Sequence, residues 1–110
     1  MDVALSIADR LILLDILPPK GDLTDMMVVE GLRPQIILSD EEMARASVKQ
    51  EGTQVSWDRT RDFEKTVTFG PNGLRIVQET LKGKMEAKEV VLEYLPLYRK
   101  FGLASMESPT

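Results

Sequence analysis

The stretch SDEEMARASVKQEGTQVSWD, residues 39–58, changes its hydrophobic period part-way along, and that change decides the fold class. Its first half is a helix start. Ser39 stands as N-cap with Glu42 three residues on, a capping box in which each side chain answers the other residue's orphan backbone N–H. Asp40 and Glu41 add negative charge in the first turn, where the helix dipole favours it. A short helix over 40–47 is expected. The second half alternates. Val48, Gln50, Val55 and Trp57 recur at period two, and Glu51-Gly52-Thr53 supplies a turn between strands over 46–50 and 54–58. Helix and hairpin side by side point to an α+β domain.

Upstream, the sequence is helical and strongly apolar. Ser6 with Asp9 forms a second capping box, with Asp in place of the usual Glu. Leu5, Ala8, Leu11 and Ile12 fall on helical spacing, and Leu13, Leu14 and Leu17 widen the stripe until Pro18-Pro19 stops the helix. Asp22 caps the next helix, with Asp25 in its first turn. Leu23, Met26, Met27, Val29 and Leu32 form its apolar face, and it is expected to end near Arg33, before Pro34.

Downstream, residues 59–64 read as a charged connection and 65–69 as a third strand, with Val67 and Phe69 on one face. A fourth helix is expected from Leu74, with Leu74, Val77 and Leu81 buried, and Gly83 ends or frays it. A last helix from Met85 or Glu86 carries the stripe Val90, Val91, Tyr94, Leu95, Tyr98 and Phe101. Pro96 kinks it or opens a second piece, and Gly102 is its C-cap. The expectation is one compact α+β domain over 1–103, mainly helical. It has about five helices and a small antiparallel hairpin or three-stranded sheet between the third and fourth. Residues 104–110 read as a flexible tail.

Composition narrows the function. The chain has 110 residues, 14 Lys plus Arg against 18 Asp plus Glu, and neither Cys nor His. Without those two residue types there is no thiolate nucleophile, no imidazole base and no Cys/His zinc site, and no metal or cofactor is expected. The acids sit at helix starts, where capping and the dipole already account for them. No serine lies in a nucleophile-elbow pattern, and Gly70-Pro71-Asn72-Gly73 lacks the Gly-Lys-Ser/Thr ending of a P-loop. The reading is non-enzymatic. No segment has the length and apolarity of a membrane helix, and no basic region precedes an apolar stretch as in a secretory signal. With the lack of Cys, this fits a reducing cytoplasm.

Charge is uneven. Residues 1–38 and 39–58 each carry a net −3, residues 59–84 carry +3 and residues 85–110 carry −1. Three helices followed by a hairpin invite a winged-helix reading, an alternative in which the chain regulates DNA. The would-be recognition helix, however, opens on three carboxylates that would face phosphates. The basic stretch offers Arg59, Arg61, Arg75 and Lys82 as nucleic-acid contacts under that alternative, with few aromatics among them for stacking. For a protein partner, or a second copy, the candidate surface is Trp57 with the stripe Tyr94, Tyr98 and Phe101, since aromatic anchors are enriched in binding hot spots.

Several strings also carry a resemblance. These are Ile-Leu-Pro-Pro-Lys-Gly at 16–21, Leu-Ser-Asp-Glu-Glu-Met at 38–43, Lys-Gln-Glu-Gly-Thr-Gln-Val-Ser-Trp-Asp at 49–58 and Leu-Tyr-Arg-Lys-Phe at 97–101. Taken together, residues 5–101 resemble small uncharacterised proteins of tailed phages and prophages. The resemblance implies a binding or accessory module acting in the bacterial cytoplasm, and it brings no catalytic or binding residue with it.

Overall fold

A computed structural model describes residues 1–103. The elements run β1 (Asp2–Leu5), α1 (Ile7–Ile16), α2 (Leu23–Ile36), α3 (Asp40–Arg45), β2 (Lys49–Glu51), β3 (Gln54–Ser56), β4 (Lys65–Thr68), α4 (Pro71–Glu86) and α5 (Leu95–Lys100). Short 3-10 turns lie at Arg59–Arg61 and Leu92–Tyr94. This is an α+β domain with one hydrophobic core. The expected tail, 104–110, lies outside the described residues.

The strands pair as two separate antiparallel ribbons, β1 with β4 and β2 with β3. The hairpin forms between α3 and α4 as expected, with strands 49–51 and 54–56 shorter than read from the sequence. Gly52 takes φ 62, which the first position of its two-residue turn requires and which suits glycine. β4 does not join the hairpin. It pairs with β1, a strand absent from the sequence reading, which counts only Leu5 on the stripe of the first helix, in the register Val3↔Val67 and Leu5↔Lys65. The reason lies in the faces. Val3, Leu5 and Val67 point into the core, whereas Val55 is the only hairpin strand residue that is even half-buried. β1 therefore has an apolar face to share with β4, and the hairpin has almost none.

Both expected capping boxes form. Ser6 and Asp9 start α1, and Ser39 and Glu42 start α3. Asp22 caps α2 by accepting from the Asp25 N–H. α2 continues through Pro34 to Ile36 instead of stopping at Arg33. Pro34 is exposed and costs one backbone hydrogen bond near the helix end, while the extra turn buries Ile36 completely. α4 starts at Pro71, in its first turn, where a missing N–H costs nothing. It then runs past Gly83 to Glu86, so Met85 and Glu86 belong to it rather than to a new helix. Gly73 lies where α4 meets α2: a Cβ there would stand 3.3 Å from Leu32 Cδ2. Pro96 opens the short α5 after the 3-10 turn, as one of the two expected outcomes at that residue.

The core joins the inner face of the β1–β4 ribbon to α1, α2, α4 and α5. Phe69 and Phe101 meet edge to face at 5.2 Å, and the Tyr98 hydroxyl donates to the Leu81 carbonyl at 2.6 Å. Tyr98 and Phe101 are thus buried core residues and form no partner surface.

α3, α4 and α5 close with the same paired bonds from the two residues beyond the C-cap, for example Glu89 N–H to Lys84 O and Lys88 N–H to Met85 O. The motif needs a left-handed residue. Gly102 (φ 75) supplies it after α5, but Ser47 (φ 53) and Lys88 (φ 57) supply it after α3 and α4. A side chain in that conformation costs on the order of 1 kcal/mol. Lys88→Gly should therefore raise stability by about 1 kcal/mol in thermal or urea unfolding. An unchanged or lowered midpoint would contradict this account of the end of α4.

Candidate functional site

Arg10 is fully buried on the apolar stripe of α1, between Ile7 and Leu13. Its guanidinium closes the end of α2 and the start of α3 at once. Nε donates to Ile36 O at 2.7 Å and one terminal nitrogen donates to Ile37 O at 2.7 Å, which satisfies carbonyls that the last turn of a helix leaves open. Both terminal nitrogens grip the Glu42 carboxylate, at 2.7 and 2.9 Å. Glu42 is the same residue that completes the α3 capping box. The Arg10 hydrogen bonds, aided by backbone and side-chain bonds to Ser39, outweigh partial burial and hold the Glu42 pKa down at about 2.

A second polar junction ties α1 to α5. Asp9, also buried, accepts from Lys100 Nζ at 2.6 Å, and Lys100 reaches Glu64 at 2.7 Å. Burial opposes the charge on Lys100, but the hydrogen bonds to the two carboxylates prevail and its pKa is raised. Asp62 completes this end of α1 by accepting from Ile7 N–H and from Trp57 Nε1–H, both at 3.2 Å.

These junctions hold α3 and the hairpin out from the core. α3 itself buries no residue, and Ala46 just beyond it is the point of full contact. An apolar groove of about 250 Å³ is left between this lobe and α1. Leu11 and Leu14 of α1, Ile37 and Leu38 of the α2–α3 connection, Met43 of α3, and Val48, Gln50 and Val55 of the hairpin region line it. Seven of these eight residues are apolar, yet none is fully buried, and Ile37 is 57% exposed. A larger depression of about 480 Å³ is lined by Val90, Val91, Leu92, Glu93 and Leu95. All five come from one segment, so no second element walls it.

The aromatic candidates are scattered. Trp57 is half-buried beside the hairpin, with the Arg59 guanidinium 4.0 Å over its ring. Tyr94 is half-buried against the core, far along the chain in the second 3-10 turn. The basic candidates are not assembled either. Arg59 stacks on Trp57, and Arg61 lies 3.5 Å from Asp58. Arg75 is held by Asp25 at 2.7 Å and Glu79 at 3.2 Å, and Lys82 is exposed on α4. The groove, Arg10 and the Asp9–Lys100 pair were not found by sequence reasoning. One signal existed for Arg10: it sits on the otherwise aliphatic 7-10-13-16 stripe of α1, and a cation there demands a buried acceptor.

Among the described residues no group of acids could hold a metal ion, and no helix is long and apolar enough to cross a membrane.

The pH dependence of stability should report the Arg10–Glu42 pair. With the Glu42 pKa lowered from 4.5 to about 2, its contribution is complete above pH 4.5 and is lost as pH falls toward 2. The loss should reach about 3 kcal/mol, followed by urea unfolding. Glu42→Gln should flatten that part of the profile. An equally steep profile in the variant would assign the effect to other carboxylates.

No protein-family model, curated protein or solved structure matches this chain.

Proposed function

We propose that this chain is a non-enzymatic protein-binding module, a phage-type accessory protein acting in the host cytoplasm, and that it binds through the groove between α1, α3 and the hairpin. The observation that carries the reading is the exposure of Ile37 over a depression whose other apolar walls are only half-buried. Aliphatic side chains from four parts of the chain converge on one surface depression without closing it. A single exposed Leu or Ile is unremarkable, but Ile37 stands at a concave depression walled by apolar side chains from several elements, the shape into which a few anchors of a partner can seat.

The commitments of the acids support the non-enzymatic part. Asp22 caps α2, Asp25 holds Arg75, Glu42 holds Arg10, and Asp9 and Glu64 share Lys100. The winged-helix alternative draws less support, because α3 is six residues long and opens on Asp40, Glu41 and Glu42.

If the groove serves binding rather than folding, Ile37→Asn should leave stability within about 0.5 kcal/mol of the parent. A photo-crosslinking residue at position 37 should give discrete adducts in bacterial lysate that the same residue at position 82 does not. A large loss of stability in Ile37→Asn, or equal labelling from both positions, would count against the reading.

A further inference from the structure

The groove's surroundings specify its occupant further, an inference that rests on the docking reading above. No cation lines the groove. Arg10 is fully buried and is spent on Glu42 and two carbonyls. Arg45 stacks over the Phe63 ring at 4.2 Å, and strand alternation turns Lys49 to the face opposite Gln50. Arg33, four residues before Ile37, lines a separate depression with Pro18, Pro19 and Glu30. The groove is flanked by acids instead. Asp15 lies four residues on from Leu11, and Asp40 lies three before Met43, so each shares a helix face with a groove residue. Both are exposed, and neither has an ion pair among the described residues. The chain from 1 to 58, which builds the groove, carries a net charge of −6.

We infer that the groove takes an amphipathic helical segment of another protein, with aliphatic residues on one face and Lys or Arg flanking them. The volume of about 250 Å³ falls below the roughly 300–1,000 Å³ typical of small-molecule sites. It matches a few aliphatic anchors. Anchors at i, i+3 and i+4 converge on one depression, whereas an extended strand would need pockets spaced along an edge. Charge selects a cationic partner over a second copy. An isologous dimer across this groove would set each copy's Asp15 and Asp40 against a like-charged rim.

The test is a fluorescence-anisotropy titration with two labelled peptides of the same helical pattern, one Leu/Lys and one Leu/Glu. The full chain, Ile37→Asn and the double variant Asp15→Lys/Asp40→Lys are compared, each checked for fold by circular dichroism. The Leu/Lys peptide should bind the parent at least about tenfold more tightly than the Leu/Glu peptide, and more weakly as salt rises. Ile37→Asn should weaken it about tenfold, and the double variant should reverse the preference between peptides. Binding of both peptides alike, with both sensitive to Ile37→Asn, would overturn the cationic partner and leave the docking reading standing. A concentration-dependent dimer in sedimentation that Ile37→Asn abolishes, without peptide binding, would assign the groove to a second copy. Leu/Lys binding indifferent to Ile37→Asn, or a monomer that binds neither peptide, would overturn both readings.

Discussion

A buried guanidinium sets the arrangement of half this molecule. Arg10 has no access to solvent, and an unpaired charge in that position would be untenable. Each of its three nitrogens must find an acceptor, and they do so at the end of α2 and the start of α3, in four hydrogen bonds. The requirement fixes where α2 stops, because Ile36 and Ile37 must present their carbonyls to α1. It fixes where α3 begins, because Glu42 must reach both Arg10 and the Ser39 N–H. Removing Glu42 leaves the Arg10 charge buried with only the Ile36 and Ile37 carbonyls to meet it, at a cost of about 3 kcal/mol.

The fold thus has two parts with different kinds of cohesion. The β1–β4 ribbon and the four helices packed on it are held mainly by aliphatic burial and by the Phe69–Phe101 contact, with the Asp9–Lys100 pair added between α1 and α5. α3 and the hairpin are held by Ala46, by the Asp58 N–H to Ala46 O bond, by Arg10–Glu42 and by the Trp57–Asp62 bond. Polar and directional anchors position this lobe without filling the space beneath it. A lobe fixed in that way can keep an apolar groove open, where a lobe held by side-chain packing would close it. The proposed docking function follows from that difference.

Local signals were legible in the sequence. Ser6/Asp9, Asp22 and Ser39/Glu42 mark three helix starts within a residue, and Glu51-Gly52-Thr53 marks the hairpin. The period change at residues 48–57 gives the fold class. What was not legible depends on partners far along the chain. Asp2–Leu5 alternates over only four residues, and its pairing with Lys65–Thr68 becomes visible only once both are in place. Pro34 reads as a stop, yet the extra turn is retained because burial of Ile36 and the Arg10 bonds stabilise it. Gly83 reads as a helix end, but it lies exposed with open space around it and costs only propensity. Tyr98 and Phe101 could not be told from a surface stripe, because α5 is too short to show which face is covered. The groove has no sequence signature at all, since its walls are ordinary aliphatic residues from four separate places.

Hydrogen exchange resolved by residue tests most directly whether the Arg10–Glu42 junction holds the groove-forming lobe to the core. The parent chain and Glu42→Ala would be compared at neutral pH. Protection should fall first and most at the Val48 and Asp58 amides and in the hairpin, while amides of α4 such as Val77 keep theirs. A uniform loss across the chain, or hairpin protection unchanged by the substitution, would contradict it.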